Sequence, residues 1–206
     1  MQRSPSVRRA VRSLGIALAL AAALASAGCA SGGLPWPWRG ADGVERGDDG
    51  RWHDADGRFA IADLARVSSR AADSAPTPST PAFERIRVAG AVLAYRASTG
   101  ATLTMLRECG RGDAPAAVLA RQLRIGIRGA DEEVIESRAV TLRGDDGWQQ
   151  LFRAYEGSRA VLVRSVTLRG GGCTMDWVLV DASDPAVDAA FERWWQSFEP
   201  SRGGAS

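Results

Sequence analysis

Alternation of apolar and polar residues dominates the second half of the chain and predicts β-strands. Residues 85–96 and 101–109 alternate in this way on either side of Ser98-Thr99-Gly100, so we predict a hairpin with Gly100 at a positive φ angle. A shorter stretch, residues 57–64, places Phe59 and Ile61 on one side and predicts an earlier strand. Four later stretches also read as strands, with Asp145-Asp146-Gly147 as the turn after the first: 133–144, 148–156, 159–169 and 173–181.

Two segments instead have the spacing of amphipathic helices. Residues 114–127 follow Asp113 as N-cap, with Pro115 near the start, and their apolar side chains recur every three or four positions until Gly129. A second helix is predicted after Asp184 as N-cap and Pro185 at the first helical position. Its apolar stripe, which must lie on the sheet, is Val187, Phe191, Trp194 and Phe198.

The order of these elements is strands, a helix, four strands and a final helix. Short turns between successive strands favour antiparallel pairing. We therefore predict one α+β domain, residues 51–200, in which helices cover an antiparallel sheet, followed by a disordered tail at 201–206. A chain of this length buries about two thirds of its unfolded surface and can fold without a partner.

Three stretches carry a resemblance to a known fold: GAVLAYRASTGATLTMLREC (90–109), GGGCTMDWVLVDA (170–182) and AAFERWWQSF (189–198). They resemble a group of proteobacterial lipoproteins of unassigned function whose domain is similar to the PsbP-like α/β/α sandwich. The resemblance covers roughly residues 57–200. Known members of that fold are mostly non-enzymatic binding or assembly factors, so the resemblance implies no catalytic residues.

The first 28 residues have the pattern of an export signal. Arg3, Arg8, Arg9 and Arg12 precede an apolar run, residues 14–27, that ends in small residues. A membrane-spanning helix is the alternative, because no charged residue follows Arg12 until Arg39. The Gly, Ser and Pro residues of GCASGGLPWPW disfavour that helix, since its backbone groups could not all be satisfied in lipid.

Ser26-Ala27-Gly28-Cys29 resembles the bacterial lipobox, although Ser26 stands where Leu is usual. The resemblance implies cleavage before Cys29 and attachment of lipid to its thiol, and several acyl chains give stable anchoring. Ala30 after the cysteine implies sorting to the outer membrane, with the domain facing the periplasm. Residues 29–50 then form a flexible tether. Ordinary cleavage after an alanine and an uncleaved anchor are the alternatives.

Removal of the predicted signal changes the net charge of the chain. All 26 basic residues are arginine, against 24 acidic residues, so loss of the four arginines before Cys29 leaves a net charge of about −2. This surface offers no electrostatic footprint for nucleic acid. The lack of lysine excludes chemistry that needs a lysine Schiff base.

The two remaining cysteines, Cys109 and Cys173, lie at the end of one predicted strand and the start of another. The end of a strand lies beside the start of its antiparallel neighbour, and an exported protein meets an oxidising compartment. We predict a structural disulfide between them. A redox-active or metal-binding pair is disfavoured because the sequence has no Cys-x-x-Cys motif and no histidine near either thiol.

Candidate catalytic and metal-binding residues are few. His53 is the chain's one histidine and precedes the first predicted strand, residues 57–64, so we expect a solvated residue. Asp54, Asp56 and Asp63 have a spacing like that of an EF-hand loop, but Trp52 occupies the first ligand position. Asp176 shares a strand face with Val178 and Val180 and would need a partner such as arginine if buried. We predict no catalytic residue, metal or cofactor.

Three classes of function remain open. The first is a non-catalytic envelope lipoprotein that binds a periplasmic or outer-membrane protein. The second is a carrier or accessory protein for a lipidic small molecule, which needs an apolar cavity of several hundred cubic ångströms between sheet and helix. The third is an enzyme with a shifted acid such as Asp176.

Overall fold

The computed structural model describes residues 43–65, 81–110, 114–128, 133–156, 159–170 and 172–201. The chain divides into two units, Met1–Trp38 and Arg39–Ser206, and the described residues all belong to the second. The predicted signal, Cys29 and residues 202–206 lie outside the described residues. So do Asp113 and Gly129, the predicted limits of the first helix.

Eleven strands and two helices make up the described domain. In chain order they are β1 (Val44–Arg46), β2 (Arg51–Asp54), β3 (Phe59–Ala62), β4 (Phe83–Arg85), β5 (Ala91–Ala97), β6 (Thr102–Cys109), α1 (Ala116–Arg128), β7 (Glu133–Leu142), β8 (Asp145–Glu156), β9 (Arg159–Gly170), β10 (Cys173–Val180), α2 (Pro185–Gln196) and β11 (Glu199–Pro200).

The strands form two antiparallel sheets. A seven-stranded sheet has the order β4-β5-β6-β10-β9-β8-β7, and a four-stranded sheet has the order β1-β2-β3-β11. Strands β7 to β10 follow one another as a meander, and the β5–β6 hairpin turns through Gly100, whose φ is 97°. The predicted α+β class with an antiparallel sheet and two helices is confirmed. The small sheet was not predicted as a sheet.

Opposite faces of the large sheet carry separate apolar clusters, because neighbouring residues of a strand point in opposite directions. Trp177 of β10 packs with α2 and with side chains of the small sheet, whereas Val178 packs with Phe152 and Val163 towards α1. The predicted stripe of α2 is confirmed. Its buried members contact Tyr95 and Trp177 through ring pairs, Tyr95–Trp194 at 5.4 Å and, just after the helix, Trp177–Phe198 at 5.1 Å between ring centroids.

The N-cap of α2 is also confirmed. Asp184 has an extended backbone, and its carboxylate accepts hydrogen bonds from the backbone N–H groups of Ala186 at 2.8 Å and Val187 at 3.4 Å. Pro185 occupies the first helical position, where its missing N–H costs nothing. These contacts fix the point at which the chain leaves the sheet and crosses back over it.

The folded domain begins before the predicted boundary at residue 51. Strand β1 pairs with β2, with Glu45 opposite His53, so residues 44–46 belong to the small sheet rather than to a flexible tether. The charged and glycine-rich composition of this segment concealed the strand. Its outer residues are exposed on the edge of the sheet, where polar side chains are tolerated.

The predicted turn at Asp145-Asp146-Gly147 is wrong. These residues begin β8, and the turn lies at Arg143 and Gly144, whose φ angles are 54° and 94°. Two consecutive positive φ angles match the two-residue turn whose twist suits a hairpin. Among the described residues, no helix is both long enough and apolar enough to cross a membrane.

Candidate functional site

The predicted disulfide joins Cys109 and Cys173, which stand opposite each other in the β6–β10 register. The geometry follows from the strand pairing, because the last residue of β6 meets the first residue of β10. The guanidinium of Arg58, in the turn between β2 and β3, lies beside the bridge. Its Nη1 atom is 3.4 Å from Cys109 Sγ and 3.8 Å from Cys173 Sγ.

A cleft of about 250 Å³ lies next to this bridge, between the small sheet and the ends of β9 and β10. Asp56, Arg58 and Asp145 contribute charged groups to its lining, and Met175 and Phe198 contribute apolar surface. It is smaller than the roughly 300–1,000 Å³ of typical ligand sites. Its volume falls short of the several hundred cubic ångströms that a lipid carrier needs.

Two buried carboxylates tie the small sheet to the large sheet. The first is Asp54 at the end of β2, whose side chain is 1% exposed and forms an ion pair with Arg107 of β6. The backbone N–H of Arg58 donates to its second carboxylate oxygen at 3.2 Å. A buried carboxylate needs such partners, since an unpaired charge away from water is costly.

The second carboxylate, Asp63, follows β3 and ends a chain of buried hydrogen bonds. The indole Nε1 of Trp52 donates to Tyr95 Oη at 2.8 Å, and Tyr95 in turn donates to Asp63 Oδ1 at 3.1 Å. The N–H of Ala65 donates to the same oxygen at 3.1 Å, and Arg46 Nη2 lies 2.7 Å from Oδ2. We call Trp52, Tyr95 and Asp63 the buried relay.

Cations cover the outer end of the buried relay. The guanidinium carbon of Arg85 lies 4.0 Å from the centroid of the Trp52 ring, and that of Arg46 lies 5.9 Å from it. Stacking of this kind on an indole is attractive because the ring face is electron-rich. The arrangement therefore orders one arginine from each sheet around Trp52.

Burial, followed by the negative charge of Asp63, raises the pKa of the Tyr95 hydroxyl well above its usual value. The side chain is fully enclosed, so ionisation would place a second anion next to a carboxylate in a site that excludes water. Tyr95 consequently acts as a neutral donor between the two sheets.

This pKa shift predicts an alkaline loss of stability. Above pH about 10 a tyrosine in the unfolded chain releases its proton while native Tyr95 keeps its own, so the unfolded state is favoured as pH rises. We expect this residue to lower the free energy of unfolding by up to about 1.4 kcal/mol per pH unit above that point. Urea titrations from pH 8 to 11 will measure the slope.

Tyr95→Phe should remove this part of the slope, at the cost of a lost hydrogen bond at neutral pH. Tyr155→Phe is the matched control, because Tyr155 is 47% exposed and should leave the slope in place. Parallel decline of the wild-type and Tyr95→Phe proteins above pH 10 would contradict the assignment.

The EF-hand-like spacing does not create a metal site. Asp54 and Asp63 serve the two separate networks above, while Asp56 is exposed and lies 3.7 Å from Arg58. Among the described residues, no three potential ligands cluster around one point. The spacing instead belongs to the β2–β3 hairpin, in which Gly57 takes a φ of 69°.

His53 and Asp176 lie in different parts of the domain. His53 is 44% exposed on β2, and its Nε2 is 3.0 Å from Asp49 Oδ2. Asp176 lies on the α1 face of β10, as its alternation with Val178 predicted, and its Oδ1 accepts from Thr167 Oγ1 at 2.6 Å. The structure therefore does not bring the two together.

The buried relay was not predicted, although one signal was available. A tyrosine on the inward side of a mostly apolar strand, as in AVLAYRA, must find a partner for its hydroxyl. The identity of that partner depends on how two sheets meet, which the alternation within one strand does not specify. The position of Arg58 beside the disulfide has no sequence signal at all.

Comparison with protein-family models gives no match, and comparison with curated proteins also gives none. Solved structures do show similarity. Cyanobacterial PsbP (CyanoP) from Synechocystis sp. PCC 6803 aligns over 84% of this chain and 96% of its own, with 14% identity and a TM-score of 0.49.

Two further solved structures are similar over a shorter part of the chain. LpqN of Mycobacterium tuberculosis, described as involved in cell envelope biogenesis, covers 61% of this chain and 82% of its own, with 20% identity and a TM-score of 0.39. PA94 of Pseudomonas aeruginosa, described as a protein of unknown function, covers 62% of this chain and 87% of its own, with 19% identity and a TM-score of 0.41.

Proposed function

We propose that the chain is a bacterial lipoprotein that is anchored through Cys29 in the outer membrane. Its domain faces the periplasm and acts as a non-catalytic module that binds an envelope protein. The observation that carries this proposal is the arrangement of the three cysteines. Two of the three cysteines form a disulfide, as expected in an oxidising compartment, and the third is the lipobox residue Cys29.

The arrangement of buried charge supports a non-catalytic role. Among the residues that the structure describes, Asp54 and Asp63 are the buried carboxylates, and each has a partner in the other sheet. A catalytic acid or base instead has to reach a substrate in a cleft. Hydrogen-bond networks with a purely structural role also shift pKa values. Burial and the neighbouring Asp63 account for the raised pKa of Tyr95 without a catalytic role.

Metabolic labelling with an alkyne fatty acid tests the anchor. The full chain, expressed in a Gram-negative host, should incorporate the label and fractionate with the outer membrane. Cys29→Ser should abolish labelling, whereas Ser31→Ala, two residues away, should leave it unchanged. An unlabelled wild-type chain with a mature mass that begins at another residue would overturn the proposal.

In-cell crosslinking tests the partner-binding role separately. The labelled wild-type protein should crosslink reproducibly to a specific envelope protein, and Cys29→Ser should lose that product if anchoring positions the domain. Release of a co-purified lipid from the purified domain, detected by native mass spectrometry, would instead favour the lipid-carrier alternative.

A further inference from the structure

One edge of the large sheet differs from every other described edge. Strand β7 has ten residues and pairs with β8 alone among the described strands. The opposite edge strand, β4, and the small-sheet edge β1 have three residues each, and β11 has two. Long open edges are usually shortened or blocked, because their free N–H and C=O groups can pair with another strand.

The hairpin fixes which backbone groups of β7 point outwards. Leu142 and Asp145 flank the two-residue turn and form a hydrogen-bonded pair, and such pairs alternate along an antiparallel ladder. Ser137, Ala139 and Thr141 therefore direct their N–H and C=O groups away from β8. The side chains of residues 133–139 are all exposed.

The charges of β7 are arranged symmetrically about Ser137. Glu136 precedes it and Arg138 follows it, so two antiparallel copies centred on Ser137 place each Glu136 opposite Arg138 of the second copy. Opposite charges in facing positions stabilise a pair of strands. This register uses the regular part of β7, because a β-bulge at Ile135, between Val134 and Glu136, interrupts the strand on the N-terminal side of the charged pair.

Both charged groups are available for this contact. The Glu136 side chain is 64% exposed and only 4.0 Å from Arg164 at its nearest approach. Arg138 donates through Nε, one of its three guanidinium nitrogens, to Gln149 Oε1 at 2.8 Å.

We propose that β7 is a self-association surface. Two copies of the chain pair through it in antiparallel orientation around a two-fold axis at Ser137, which joins their seven-stranded sheets into one continuous sheet. This inference rests on the described domain and does not depend on lipid attachment at Cys29.

A cysteine placed on the axis tests the register. In the purified full-length protein, Ser137→Cys should form an intermolecular disulfide under mild oxidation, because facing residues of a hydrogen-bonded pair have Cα atoms about 5.5 Å apart. Thr141→Cys is the matched control on the same strand. Its two copies would be about 27 Å apart at about 3.4 Å per residue, so it should remain uncrosslinked.

Exchange of the two charges gives an independent test. Glu136→Arg and Arg138→Glu should each reduce the dimer fraction at least tenfold in sedimentation measurements, since each places like charges in facing positions. The double exchange E136R/R138E should restore the dimer. A monomeric wild-type protein, equal crosslinking of the Ser137→Cys and Thr141→Cys variants, or a double exchange that stays monomeric would overturn the proposal.

Discussion

Replacement of both Cys109 and Cys173 by alanine should lower the free energy of unfolding by about 4 kcal/mol. The bridge closes a loop between residues separated by 64 positions, and it restricts the unfolded chain more strongly than a short loop would. The loss is large for a single domain, whose total stability is about 5–15 kcal/mol. Urea unfolding of the oxidised wild-type protein and of the double variant will measure it.

Reductant provides the internal control for this prediction. It should destabilise the wild-type protein to about the level of the double variant and leave the double variant unchanged. Cys29→Ser, which keeps the bridge, should unfold at the wild-type urea concentration. Equal stability of the oxidised and reduced wild-type proteins would show that the bridge constrains little.

Asp63→Ala should lower the free energy of unfolding by about 3 kcal/mol. The substitution leaves the hydroxyl of Tyr95 and the N–H of Ala65 without their acceptor, and a buried donor without a partner costs about 1–3 kcal/mol. Arg46 adds little to this loss, because its side chain is 42% exposed and exposed ion pairs contribute little. Thermal or urea unfolding at pH 7 will check the value.

Asp56→Ala is the matched control for that variant. Asp56 belongs to the same hairpin, but its side chain is 63% exposed and its contact with Arg58 spans 3.7 Å. We expect a change within about 0.5 kcal/mol, as for most exposed substitutions. Similar losses in the two aspartate variants would show that the buried relay does not hold the sheets together.

The pattern of apolar residues within a single element was enough to predict the strands and helices whose buried residues are regularly spaced. Strand β10 is an almost continuous apolar run that is buried on both faces, and helix α2 buries one apolar stripe, so the run and the capping residues located them closely. The disulfide followed from the same information, because strand ends that pair must lie together. These predictions needed no knowledge of distant parts of the chain.

The remaining features depend on contacts between segments far apart in sequence. Strand β1 is short, and strand β11 is two residues long after the last helix, so neither has a measurable period. The pairing of Asp54 with Arg107 spans 53 positions and joins two sheets, and no spacing rule connects those residues. The turn at Arg143 was missed because Asp-Gly is the commoner turn signal and lies just beyond it.

The placement of β1 determines how the domain would respond to a pull from its N-terminal side. Tension on Gly43 first loads the hydrogen bond that its C=O accepts from Ala55 N–H and then the Val44–Asp54 pair. It moves from there towards the turn at residues 47–50, so the strand would unzip one residue pair at a time instead of shearing as a whole. The ion pair between Arg46 and Asp63 would be the last contact of β1 to break. Strand β1 would therefore detach from the edge of its sheet before the force reached the central strands that the disulfide joins.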